Sequence, residues 1–160
     1  MSYLKLIKLL YLLDRTSLLR WGRPVTTDSY VSMDNGPVVS RIYDLIREEP
    51  DPGSRAFWRT YISEPQHYEV ALIKDPGNSE LSRAEESLIQ EIFVDYGYRS
   101  RWELRDYSHT LPEWSNPNGS TIPISFRDIL KAGDKTEAEI AGIVSEIENL
   151  ALTEALATPE

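Results

Sequence analysis

Three capping-box signatures organise the second half of the chain, each a hydroxyl residue three positions ahead of a glutamate: Ser82 with Glu85, Ser100 with Glu103, and Thr136 with Glu139. This spacing is a capping box, in which hydroxyl and carboxylate reciprocally satisfy N–H groups that a helix leaves unpaired in its first turn. Each one predicts a helix start. The first helix, "RAEESLIQEIFVDYG", turns Leu88, Ile89, Ile92 and Phe93 inward and stops at Gly97. The second starts at Arg101 and is short, running toward "SHTLPEW". A further short helix from Phe126 to Ala132 ends at Gly133, and a last helix over 136–156 carries Ile140, Ile143, Val144, Ile147 and Ala151 as its apolar stripe.

The N-terminal stretch "MSYLKLIKLLYLLDRTSLLRWG" reads as another helix. Leu4, Ile7, Tyr11 and Leu18 share one face, and Gly22 and Pro24 stop it. Its uninterrupted apolar run, Leu9 to Leu13, is too short for a signal peptide, and no segment approaches the length that spans a bilayer. Tyr11 reads as a core tyrosine whose hydroxyl is satisfied near the surface, with a partner contact as the alternative.

Next comes "SMDNGPVVSRIYDLI", which reads as a sharp turn into a buried helix. Asn35 or Gly36 takes the cap or a positive-φ turn, Pro37 takes the first helical position, and Val38, Ile42, Leu45 and Ile46 repeat at helical spacing. The helix ends at Glu48 or Glu49, ahead of the breaker "EEPDPG". A phosphate cradle at Asn35-Gly36-Pro37 is disfavoured, because a P-loop needs more glycines and a following Lys-Ser/Thr. Then "AFWRTYIS" and "HYEVALIK", rich in aromatic and β-branched residues and separated by Glu64, Pro65 and Gln66, predict a β-hairpin. The expected fold is therefore mainly α (α+β), a compact domain of about five to six helices with one small β-hairpin. It occupies 1–157 as a single domain, with 158–160 as a frayed tail.

Composition narrows the chemistry. The 160 residues include no cysteine, so thiolate catalysis, disulfides and zinc–thiolate sites are absent, which is compatible with a reducing cytoplasm. His67 and His109 are the two histidines, and neither has a partner at metal-ligand spacing. No cofactor is expected. Net charge is −9, yet residues 1–60 hold 9 Lys and Arg against 7 Asp and Glu, a net of +2, so the acid lies in the remainder. The one basic stretch, "YRSRWELR", is interleaved with acid and reads as a solvated helix face, which disfavours direct nucleic-acid binding.

His109 and Trp114 carry two readings. A histidine at a helix end, followed after Pro112 by Trp114, can clamp the loop against the core, or the pair can meet a partner. A catalytic His109 oriented by Asp106 is a third reading, weakened because no activated nucleophile accompanies them.

Together, "KLIKLLYLLD", "GRPVTTDSYVSMDNGPVVSRIYDLI" and "LRDYSHTLPEW" occur in an order and spacing that resemble the Panacea domain, the SocA-like antitoxin family, from about Leu4 to Trp114. The helix from Thr136 is similar to the family's terminal acidic helix. Ser32-Met33 stand where the family often has an aromatic pair, and because little sequence precedes "LKLIKLL", an added DNA-binding domain is not expected.

What the resemblance implies is non-enzymatic: an antitoxin of a bacterial or prophage toxin–antitoxin system, neutralising a cognate toxin by direct protein–protein binding. The alternatives are a proteolytic adaptor or other regulatory binding protein, and a hydrolase using His109. Candidate toxin contacts are Tyr30, Met33, Asp34, Asn35, His109 and Trp114 around one groove, and Glu146 and Glu148 on the acidic helix. Residues 134–160 hold one Lys and 7 Asp and Glu, so this helix could cover the basic cleft of a toxin. Tyr11, Gly36, Pro37 and Val38 are assigned to the scaffold. The expected partners are a toxin and, for an adaptor, a protease, with no membrane.

Overall fold

The computed structural model describes residues 1–47 and 52–157. Among them the order is α1 (Tyr3–Trp21), β1 (Tyr30–Met33), β2 (Gly36–Val39), α2 (Ser40–Arg47), α3 (Pro52–Tyr61), α4 (Arg83–Tyr96), α5 (Arg101–Ser108), β3 (Ile122–Ile124), α6 (Phe126–Ala132) and α7 (Glu137–Ala157). The class is the one the sequence predicts, mainly α with a small sheet, although the described residues hold seven helices rather than five or six.

α1 is the central pillar, in contact with α2, α4, α5, α6 and β2. Its sequence explains this place: Ile7, Tyr11 and Leu18 are buried on one side while Leu9, Leu12 and Leu13 are buried on others, so the helix is apolar over most of its girth. It ends at Gly22 in the left-handed conformation, whose N–H donates to the Leu18 carbonyl.

All three capping boxes form, at Ser82, Ser100 and Thr136. Ser125 with Asp128 makes a fourth by the same geometry with a shorter acid. On α4, Leu88 and Ile92 enter the core as expected, but Phe93 is 55% exposed. The i, i+4 pair Leu88 and Ile92 already faces inward, and Phe93 is rotated out of that line.

The sheet corrects two sequence expectations. Gly36, Pro37 and Val38 do not open a helix. They form β2, which pairs antiparallel with β1 in the register Tyr30 to Val39 and Met33 to Gly36, leaving Asp34-Asn35 as a two-residue turn. β2 is an edge strand in the order β2-β1-β3, and an edge tolerates a proline. The helix begins only at Ser40, where the Asp28 carboxylate accepts from the Arg41 and Ile42 N–H groups at 2.8 and 3.0 Å. This cap comes from before β1, which local periodicity does not show. The expected end at Glu48 or Glu49 lies outside the described residues.

"AFWRTYIS" is not a strand but most of α3. Phe57 stacks edge-on against Tyr61 at 5.4 Å, an i, i+4 contact that the aromatic composition masked. "HYEVALIK" forms only isolated bridges, Ile62 to Leu72 and Gln66 to Glu69, around a turn with positive φ at His67 and Tyr68. It also pairs with the N-terminus: the Tyr3 N–H donates to Tyr68 O and the Val70 N–H to Met1 O.

Candidate functional site

Lys8, Tyr11 and Asp14 are three of four polar residues that recur three apart on α1 and lie inside the protein, the fourth being Ser17. Each of the first three is anchored by a different element. The Lys8 ammonium donates to the Pro37 carbonyl of β2 at 2.6 Å. Tyr11 donates its hydroxyl to Glu113 Oε1 at 2.9 Å, and the same oxygen accepts from Arg15 Nε at 2.7 Å. Asp14 accepts from the Val25 and Thr26 N–H groups and from the Tyr30 hydroxyl at 2.9 Å, with Thr26 Oγ1 as a further donor. Tyr11 and Tyr30 meet edge to face at 5.6 Å, so both tyrosines are core, and the Tyr11 hydroxyl is satisfied in the interior rather than near the surface.

Burial governs the proton equilibria of this line. It pulls the Lys8 ammonium down to about 7 and holds the Tyr11 and Tyr30 hydroxyls well above the usual tyrosine range. Asp14 is raised by burial, against its hydrogen bonds.

The segment after α5 wraps the hairpin tip. Trp114 stacks on His109 with ring centroids 4.1 Å apart and donates Nε1–H to the Met33 carbonyl at 3.1 Å. The Ser115 N–H donates to Ser32 Oγ, and the Gly119 N–H to Asp34 Oδ1 at 2.9 Å. The pKa of His109 is lowered by burial and then by the charges of Lys8 and Arg105. Its Nε2 is buried without a hydrogen-bond partner among the described residues. Asp106, the candidate orienting carboxylate, instead pairs with Arg105 at 2.6 Å.

The structure thus brings Met33, Asp34, Asn35, His109 and Trp114 together at the hairpin tip, with Tyr30 in the core beneath. Asp34 and Asn35 are exposed, Met33, His109 and Trp114 half-buried. Glu146 and Glu148 are exposed on α7 and do not line the cleft beside the tip. Beside the tip opens a cleft of about 500 Å³, lined among others by Tyr3, Lys8, Met33, Asp34, Asn35, Tyr43, Tyr68, Arg101 and Trp102. Its aromatic walls were not legible as a site, because they come from four separate segments. The Lys8-Tyr11-Asp14 spacing was visible in the sequence, and only its polarity on a buried face marked it.

A family model described as "Antitoxin SocA-like, Panacea domain" matches residues 6–115, the span that holds most of α1, the hairpin and the His109–Trp114 clamp. The chain belongs to this family. No curated protein and no solved structure matches it. Within the Panacea domain, contacts between elements run through several of the residues singled out above. Lys8, Tyr11, Gly36, His109 and Trp114 join α1, the hairpin and the α5 loop to one another. No described helix is long and apolar enough to cross a membrane, and no group of three His, Asp or Glu among the described residues could hold a metal ion.

Proposed function

We propose that this Panacea domain neutralises a cognate toxin by binding it directly, without catalysis. The observation that supports this is the division of labour in the matched region. Its buried polar side chains are engaged in tying elements together, while the cleft beside them presents tyrosine, tryptophan and arginine, the residue types that dominate protein-binding hot spots. His109 fits a clamp better than a general base: its ring is stacked on Trp114, and Asp106 is occupied by Arg105.

The test is expression of each reading frame that neighbours the gene, alone and with this protein, in a bacterial host. One neighbour should arrest growth alone, grow normally with this protein, and copurify with it in fixed ratio. Protection without a stable complex, accompanied by toxin loss only while a host protease is active, would instead assign an adaptor role. Absence of any toxic neighbour would remove the support for an antitoxin.

A further inference from the structure

We infer that the cleft beside the hairpin tip is a docking site for a peptide segment of a protein partner that carries a carboxylate next to an aromatic side chain, with Lys8 receiving the carboxylate. The inference rests on the antitoxin reading for the kind of partner but not for the chemistry of the cleft.

Lys8 lines the cleft floor and is only 1% exposed. An ammonium has three donors, and the one hydrogen bond here is to the Pro37 carbonyl at 2.6 Å. No carboxylate among the described residues pairs with it. Burying an ammonium without a counter-charge is unfavourable, and burial alone accounts for its lowered pKa. An arriving carboxylate would restore the missing half of the pair. A lysine whose role was solely to pin β2 would need no cleft above it.

The second observation is at the rim. Arg101 also lines the cleft, lies over the Trp102 ring at 4.9 Å, and pairs with no carboxylate among the described residues. Tyr3, Tyr43 and Tyr68 form the facing wall, with the Tyr3 and Tyr68 rings 6.0 Å apart. Tyr68 is 67% exposed and Trp102 47%, large apolar surface that a bound aromatic side chain would cover. Two cations with an aromatic wall, set against the one carboxylate in the lining, Asp34, which is held by the Gly119 N–H, suit one acidic side chain. The protein's net charge of −9 opposes a long polyanion.

The experiment is selection of a random twelve-residue peptide library displayed on phage against the whole protein, followed by titration of the enriched peptides. Enriched sequences should pair Asp or Glu with a neighbouring aromatic residue, and ¹⁵N spectra should move Lys8 and the Trp102 indole on binding. Lys8→Met should weaken the peptide by about 30-fold or more, as loss of one partner from a buried charge pair does. Arg101→Glu should weaken it about fivefold or more with the melting temperature kept, which separates docking from any effect of Lys8 on folding.

Failure to enrich a cleft-binding peptide, a consensus without acid, or wild-type affinity in Arg101→Glu overturns the inference. So does displacement of the peptide by a short oligothymidylate that moves the same resonances, which would make the cleft a nucleic-acid site. These outcomes are read without any toxin. Failure of growth rescue therefore tests the antitoxin reading, and failure here tests the cleft.

Discussion

Gly36 stands so close to Ser108 that a β-carbon added to it would lie 2.3 Å from the Ser108 Oγ and 3.0 Å from the Lys8 ammonium. The residue also has φ of +92°, a conformation that side chains other than glycine rarely adopt. Both constraints act at the point where the hairpin meets α1 and α5. Gly36→Ala should therefore destabilise the fold by about 2–4 kcal/mol. Urea unfolding checks this: the midpoint should fall with the slope unchanged. A wild-type midpoint would mean that Ser108 and the hairpin yield to the extra carbon.

Glu113 is a buried carboxylate held by two partners, with its side chain 0% exposed and that of Arg15 19%. Removing the cation strands the charge, whereas removing the Tyr11 hydroxyl removes one donor of three, the other two coming from Arg15. Arg15→Met should cost about 3 kcal/mol and Tyr11→Phe about 1 kcal/mol. Adding Glu113→Gln to Arg15→Met should recover part of the loss, because the stranded charge is gone. Unfolding free energies of the two single variants and the double variant provide the measurement.

Lys8 gives stability a pH dependence of defined sign. Its pKa drops from 10.5 in the unfolded chain to about 7 in the fold, so between those values the unfolded chain holds the proton and the folded one does not. Stability should rise with pH across this window by about 1 kcal/mol per unit. His109, lowered from 6.5, contributes in the same direction at lower pH. Near pH 10 the trend should reverse, because Tyr11 and Tyr30 stay protonated in the fold while the unfolded chain ionises. Lys8→Met should flatten the rise between pH 7 and pH 10 in a urea series, and a slope identical to wild type would contradict the assignment.

The helices were legible because their signals are local. Ser82, Ser100 and Thr136 announce themselves within four residues, and Gly22 and Gly97 close helices where the pattern stops. The hairpin was not, because the residues that make Gly36-Pro37-Val38 a strand are distant. Asp28 holds the N-terminus of α2 away from Pro37, and Trp114 and Gly119 fasten the tip from more than eighty positions later. The His109–Trp114 clamp was readable from its five-residue spacing and the intervening Pro112. The cleft was not readable, since Tyr3, Tyr43, Tyr68 and Trp102 become neighbours only after the chain folds. Composition misled at α3, where aromatic residues that suit strands pack as i, i+4 pairs on a helix.

Under the antitoxin reading the acidic helix and the cleft are the two proposed toxin-binding surfaces, and they answer differently to charge reversal. Part of the acid on α7 is already committed: Glu137 pairs with Arg127 at 3.0 Å, and Glu139 caps Thr136. Ile140, Ile143, Val144 and Ile147 pack the opposite face into or against the core, an arrangement that by itself explains an acidic back. Glu146 and Glu148 remain exposed and do not line the cleft. If they steered a basic toxin, reversing both to Lys would slow association, most strongly at low salt. The expectation is instead that Glu146→Lys with Glu148→Lys leaves both melting temperature and growth rescue near wild type, while Arg101→Glu abolishes rescue at an unchanged melting temperature. Association rates with the copurifying toxin, measured across a salt series for both variants, separate the surfaces. A slowed rate confined to the α7 double variant would move the binding surface to the acidic helix and leave the cleft without a role in neutralisation.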